Sequence, residues 1–179
     1  MKRISIGLIA ALALAACGGG GTASQATPTA VRTTAAPTPT PTPATTAVFA
    51  ATLLSTEENP PIASAEATCT GTATVTLNKA TNSGKFDVEV KGCPATTELN
   101  IMHIHRGAKG ANGGVVVNSG LAAGEWKLTA GAGTISKNIA TIDAALLNEI
   151  IATPSAFYYN VHSTLHASGV IRGQLVLKP

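Results

Sequence analysis

Apolar and polar residues alternate in short segments from Val48 to the end of the chain, with glycine-rich stretches between them. The longest such segment is residues 68–77, in which every second residue is threonine. A period of two is typical of a β-strand that buries one face. Phe86, Val88 and Val90 repeat the pattern beyond a turn-rich stretch, which predicts an antiparallel hairpin.

The predicted register of this hairpin brings its apolar residues to one face. It places Phe86 opposite Leu77 and Val88 opposite Val75. Further alternating or β-branched segments predict strands at 49–54, 98–105, 115–117, 125–130, 134–140, 157–163 and 169–177.

One segment, residues 143–152, has helical periodicity instead. Asp143 can cap its start and Pro154 prevents its continuation. Many short strands and one helix-sized connection predict an all-β fold, an antiparallel β-sandwich with one short helix. The apolar positions of the helix are Ile142, Leu146, Leu147, Ile150 and Ile151.

The first 17 residues have the pattern of an export signal. Lys2 and Arg3 precede an apolar stretch, residues 4–16, that is too short to span a membrane. The segment 14–17, Leu-Ala-Ala-Cys, resembles the lipobox of bacterial lipoproteins. This resemblance implies that Cys17 is lipidated and becomes the new N-terminus, so that the protein is anchored to the cell membrane and faces the periplasm or the cell exterior. An ordinary secretory signal with a chance cysteine is the alternative.

Residues 18–47 separate this signal from the β segments. Their thirty positions hold ten Thr, seven Ala and five Pro. Such a composition buries too little apolar surface to offset the entropy of ordering, and its Pro-Thr repeat favours extended polyproline II. We therefore predict a disordered stalk that precedes a β domain at residues 48–179.

The charge balance bears on the class of partner. The whole chain carries 12 Lys+Arg and 9 Asp+Glu, a net charge of +3, but from Val48 onward there are nine of each. An electroneutral domain argues against a nucleic-acid binder that neutralises phosphates. The expected partners are the membrane, through the N-terminal lipid, and an extracellular protein or cell-envelope ligand that the sequence does not identify.

Cys69 and Cys93 flank the hairpin, and the export signal places them in a potentially oxidising compartment. We predict a disulfide between them, with two free buried thiols as the alternative. Because Cys93 falls on the wrong face of a regular strand, the prediction requires a bulge or a strand end at Gly92.

Three of the four histidines suggest a metal site. His103 and His105 lie on one face of a predicted strand, about 7 Å apart, and His162 lies on another strand. We predict that their nitrogens converge to about 3–4 Å, and copper is the ion favoured at an imidazole-only site. The alternative is that these histidines hydrogen-bond loop backbone. His166 lies in a predicted turn and receives no role.

Motifs of enzymes are missing. The sequence has no G-x-S-x-G, P-loop, H-E-x-x-H or C-x-x-C motif, so we assign no catalytic residue and lean against an enzyme. Glu57 and Glu58 are adjacent on a proline-rich loop and are predicted to be solvated. Trp126, Tyr158 and Tyr159 are predicted to be core residues rather than a contact patch.

Two regions resemble the CHRD (chordin) domain. One is the segment His-Ile-His-Arg-Gly-Ala at 103–108 with the glycines and valines that follow it, and the other is the ending at 158–175. Residues 58–62 are similar to the acidic, proline-paired segment of the family. The resemblance covers the predicted β domain and implies an extracellular β module, found in bacterial surface proteins and in chordin-type regulators, without a settled activity. Arg106 departs from the glycine usual in the family.

A weaker resemblance links residues 102–105, 160–162 and 168–171 to copper/zinc superoxide dismutases. It implies a related sandwich, of superoxide dismutase or immunoglobulin type, and His103, His105 and His162 as copper ligands. The bridging histidine and the zinc subsite have no counterparts, and Arg172 follows the Gly-Val-Ile segment instead of preceding it.

Two functions follow as hypotheses. The first is a membrane-anchored, extracytoplasmic CHRD-like binding or structural module without catalytic turnover. The second is a copper-binding protein, open to redox chemistry, that uses the three histidines.

Overall fold

A computed structural model describes Gly21 and residues 45–179. Cys17 and the predicted stalk up to residue 44, apart from Gly21, lie outside these residues. In the part of the chain that is described, no helix has both the length and the apolar character needed to cross a membrane. The described residues form one α-helix, Ala144–Ala152 (α1), and nine strands: Thr46–Leu54 (β1), Thr70–Asn78 (β2), Ser83–Lys91 (β3), Leu99–Arg106 (β4), Val115–Asn118 (β5), Gly133–Ile139 (β6), Phe157–Ser163 (β7), Ile171–Gln174 (β8) and Val176–Leu177 (β9).

The strands form one antiparallel sheet that curls back on itself. Its order is β5-β4-β7-β8-β1-β2-β3-β6, and β9 also pairs with β1. Strands β3 and β7 are separated in this order by three others, yet Phe86 on β3 and Tyr159 on β7 meet edge to face with ring centroids 5.2 Å apart. The two halves of the sheet therefore face each other across a common core, nearly as in a barrel. This confirms the predicted antiparallel β fold with one short helix.

The β2–β3 hairpin forms as predicted, but its predicted register is wrong by two residues. Val75 lies opposite Phe86 and Ala73 opposite Val88. A shift of two keeps every side chain on its own face, so the apolar pattern cannot detect it. The turn decides the register, since the Asn78 side chain accepts hydrogen bonds from the backbone N–H groups of the two residues that follow Lys79.

The first strand begins earlier than predicted. Thr46 and Ala47, the last residues of the predicted stalk, belong to β1 because they pair with Asn78 and Leu77 of β2. Their composition is that of the preceding segment, and only the neighbouring strand makes them extended.

One other predicted strand is wrong, and another is divided into two strands. Residues 125–130 form an irregular segment with only an isolated bridge at Thr129, because Gly124 and Ala130 have positive φ and redirect the chain. The predicted strand 169–177 is divided at Leu175: β8 lies between β7 and β1 and pairs with both, whereas β9 pairs with β1 further along that strand.

Helix α1 matches its prediction closely. The Asp143 side chain accepts a hydrogen bond from the backbone N–H of Leu146 at 2.9 Å, which caps the helix. Leu147 and Ile150 are buried, as the helical spacing of apolar residues predicts.

Cys69 and Cys93 lie at disulfide distance, with 2.09 Å between their sulfur atoms. Strand β3 ends at Lys91, and Gly92 follows with φ of +72°. A Cβ atom at Gly92 would lie 2.8 Å from the carbonyl oxygen of Thr68. The strand therefore ends just before Gly92, so a strand end, one of the two arrangements that the pairing was predicted to require, is the one present.

Replacing both Cys69 and Cys93 with alanine should lower the free energy of unfolding by about 3 kcal/mol, because the bridge closes a 24-residue loop. Urea unfolding followed by circular dichroism measures this loss. The matched control is the wild-type protein with a reductant, which should lose the same amount, whereas the reductant should not affect the double variant. Equal stability of the oxidised wild type and the double variant would contradict the prediction.

Candidate metal centre

Two neighbouring strands place three histidines on one face of the sheet. His103 and His105 alternate along β4, and His162 lies on β7 opposite Ile101. Because His162 lies diagonally to His103 on the adjacent strand, the three side chains share a face. Met102 on the other face of β4 is fully buried in the core. The histidines thus lie on the outer face of the sheet.

Loops nevertheless cover this outer face. His103, His105 and His162 are only 5%, 7% and 5% exposed. The loop that contains Gly113 connects β4 to β5, and the loop that contains Ala167 connects β7 to β8; both contact the histidines through their backbone. The cluster is therefore closed off from solvent.

Each histidine keeps one buried nitrogen without a hydrogen-bond partner. The Nδ1–H of His105 donates to the carbonyl oxygen of Gly113 at 2.9 Å, and that of His162 donates to Ala167 at 2.8 Å. Because a carbonyl only accepts, these bonds leave a lone pair on each Nε2. Both Nε2 atoms and the Nδ1 of His103 are buried and unpartnered. The potential ligand atoms of the three residues lie within 4.8 Å of one another, slightly more than the predicted 3–4 Å.

The protonation of these imidazoles suits a metal site. Burial, with the charges of His162 and His105 as smaller causes, lowers the pKa of His103 to about 4. Burial also lowers the pKa of His105 and of His162. All three imidazoles are therefore neutral at neutral pH, the state in which imidazole binds a metal.

A buried arginine lies beside the cluster. Arg172, on β8, is 3% exposed, and its guanidinium carbon lies 4.8 Å from the centroid of the Tyr158 ring. The His105 ring stacks on Tyr158 at 4.9 Å, nearly parallel to it. Arg172 also donates a hydrogen bond to the Asn112 side chain at 2.8 Å and another to the Glu57 carbonyl. Its guanidinium is thus fixed on the Tyr158 ring, which also stacks against His105.

Glu58 is buried, and the prediction that it is solvated is wrong. It is 6% exposed, and its Oε2 lies 3.9 Å from the Nε of Arg172. Burial raises the pKa of Glu58 to about 7, although Arg172 acts in the opposite direction. The loop that follows β1 folds over β8 and brings this carboxyl inside. Glu57 is less buried and pairs with Lys109 at the surface.

Sequence reasoning assigned no role to either Glu58 or Arg172. Both belong to segments that carry the resemblance to a known domain, and this resemblance is the sequence feature that could have pointed to them. Their proximity across 114 positions depends on the tertiary fold.

The remaining candidates lie outside the cluster. His166 contacts the Ser64 hydroxyl, with 2.7 Å between its Nε2 and the serine Oγ, and lies 3.9 Å from the Glu66 carboxylate. Arg106 is exposed and pairs with Glu149, so it points away from the histidines, as strand parity predicts. Trp126, Tyr158 and Tyr159 are buried, as predicted.

The fold and the site together define an antiparallel β domain with a closed three-histidine cluster on the outer face of its sheet. The family model of the CHRD domain matches residues 49–175. The chain therefore belongs to the CHRD family, which indicates a non-catalytic extracellular module. No curated protein and no solved structure matches the chain.

Proposed function

We propose that this CHRD domain is an extracytoplasmic copper-binding module whose ligands are His103, His105 and His162. The observation that carries the proposal is the convergence of three buried histidines: their potential ligand atoms lie within 4.8 Å of one another, and each ring has a buried nitrogen without a hydrogen-bond partner. Buried polar atoms without partners are costly, and a metal ion would provide the missing partner for all three. Three ligands at about 2.0 Å from one metal lie about 3.5 Å apart, so a small contraction completes the site.

The donor set favours copper. The cluster contains only imidazoles, without a carboxylate or a thiolate, in the described part of the chain. Among divalent first-row ions, copper binds such nitrogen donors most tightly. The backbone carbonyls of Gly113 and Ala167 orient two of the rings, as outer partners commonly do at metal sites.

Metal titration of the full chain, purified without a histidine tag, tests this proposal. We expect one equivalent of copper to bind, with zinc binding more weakly. If neither copper nor zinc binds with micromolar affinity, the proposal fails. The domain would then be a binding or structural module whose histidines only hydrogen-bond the loops.

We also propose that the module is tethered to the cell membrane through lipidated Cys17, with residues 18–47 as a stalk. The export signal and the lipobox-like segment support this proposal. A copper site held in the cell envelope in this way would meet metal ions outside the cytoplasm, and an extracellular protein or cell-envelope ligand would be its partner.

Replacing Cys17 with serine should leave uncleaved precursor or release the protein from the membrane fraction, because a lipid-anchored protein depends on that thiol. Fractionation and the mature size on a gel measure both results. Ser24→Ala in the predicted stalk is the control and should change neither. Membrane association that persists at unchanged mature size in the Cys17 variant would contradict the tethering.

A further inference from the structure

We propose that the histidine site binds cuprous copper in preference to cupric copper. The inference rests on the proposed copper function and adds the oxidation state of the bound ion. Two features of the structure carry it: the number and arrangement of the donors, and the buried positive charge of Arg172.

The donor number favours the monovalent ion. Three imidazole nitrogens from His103, His105 and His162 converge, and no fourth His, Cys, Asp or Glu joins them among the described residues. Cupric copper prefers a tetragonal arrangement of nitrogen and oxygen donors, which needs at least four ligands. Cuprous copper has a filled d shell and accepts three ligands.

The site also resists rearrangement towards a tetragonal geometry. His105 and His162 are each fixed by a hydrogen bond from Nδ1 to a backbone carbonyl, and the ring of His105 is stacked on Tyr158. All three histidines are almost fully buried, so water has little access as an additional ligand. A cupric ion would have to break these contacts or remain undercoordinated.

Electrostatics act in the same direction. Asn160 lies opposite His103 on one neighbouring strand and opposite Arg172 on the other. The backbones of His103 and Arg172 are therefore two strand spacings, about 10 Å, apart across the sheet. The guanidinium keeps its charge at all relevant pH values, and burial limits its screening by solvent and salt. A fixed positive charge repels a dication more than a monocation.

Only one acidic side chain is paired with this arginine in the described structure. The Glu58 carboxyl lies 3.9 Å from Arg172, and its Oε1 has no hydrogen-bond partner. Because burial raises the pKa of Glu58 to about 7, the carboxylate compensates Arg172 only in part at neutral pH. Arg172 donates its hydrogen bonds to carbonyl oxygens and to the neutral side chain of Asn112, and its guanidinium lies over the neutral Tyr158 ring, so these contacts leave its charge in place.

Separate titrations of the full chain with the two ions test the proposal. Cuprous copper is titrated without oxygen in competition with bicinchoninate, and cupric copper in competition with nitrilotriacetate. We expect the cuprous dissociation constant to be lower by at least about tenfold, which corresponds to about 1.4 kcal/mol. Cupric binding that is equal or tighter would overturn this inference and leave the copper site itself standing. If neither ion binds, the proposed function fails and the inference fails with it.

Variants at the charged pair separate electrostatics from packing. Arg172→Gln should lower the ratio of the cupric to the cuprous dissociation constant, because it removes the positive charge. Arg172→Lys keeps the charge and should leave this ratio unchanged. Glu58→Gln should raise the ratio of the cupric to the cuprous dissociation constant, and it provides the test if the Arg172 variants do not fold. An unchanged ratio in a folded Arg172→Gln protein or in Glu58→Gln would overturn the electrostatic part of the proposal.

Discussion

Replacement of His103 by alanine should weaken copper binding by at least about 100-fold, because loss of a direct ligand costs more than loss of an outer hydrogen-bond partner, which commonly costs 10–100-fold. The fold should persist in metal-free buffer. The Nδ1 of His103 has no hydrogen-bond partner, so the substitution breaks no bond at that atom and removes a buried polar group that is unsatisfied.

His166→Ala is the matched control for this experiment. It removes the one histidine outside the cluster and should leave copper stoichiometry and affinity unchanged. Competition titration measures affinity, and thermal unfolding followed by circular dichroism measures the fold. Full copper affinity in His103→Ala would contradict the site. If that variant unfolds in metal-free buffer, the histidines hold the structure together instead of binding a metal.

Replacement of Phe86 by alanine should lower the free energy of unfolding by about 3–5 kcal/mol. Phe86 is fully buried on β3 and packs edge to face against Tyr159 on β7, so it joins the two halves of the sheet. The substitution loses the buried ring and leaves a cavity between these halves, where few neighbours can move to fill it.

Tyr159→Phe is the control, because it keeps the ring contact and removes a hydroxyl group that is buried without a hydrogen-bond partner. This substitution should leave stability unchanged or raise it slightly. Urea unfolding of both variants gives the comparison. A loss below about 1 kcal/mol in Phe86→Ala would mean that the two halves of the sheet do not pack through this contact.

Much of the fold could be predicted because local pattern reports local structure. The alternation in residues 68–77 specifies which face of β2 is buried, and the cap at Asp143 marks the start of α1. The register between β2 and β3 could not be predicted from the alternation, since a shift of two residues leaves the same faces buried. The strand predicted at 125–130 is wrong for a related reason. The composition of this segment is compatible with a strand, but positive φ at Gly124 and Ala130 redirects the chain.

The candidate site, too, was predictable only in part from the sequence. That His103 and His105 share a face follows from the two-residue period of a strand, whatever the rest of the fold. That His162 joins them depends on the pairing of β4 with β7. These two strands are separated in the sequence by β5, β6 and α1, and only the sheet brings them together. The orientation of two of the rings depends on carbonyls of two separate loops.

The sequence by itself determined the strand faces, the helix, the cysteine pair and the three histidines, because each depends on short-range periodicity or on the scarcity of a residue type. Only the tertiary structure decided that the histidines are closed off from solvent and that Glu58 pairs with Arg172, whose guanidinium contacts the Tyr158 ring on which His105 stacks. Burial is a property of how distant segments pack, and the same glutamate that is solvated on an open loop has its pKa raised to about 7 when that loop folds over a strand.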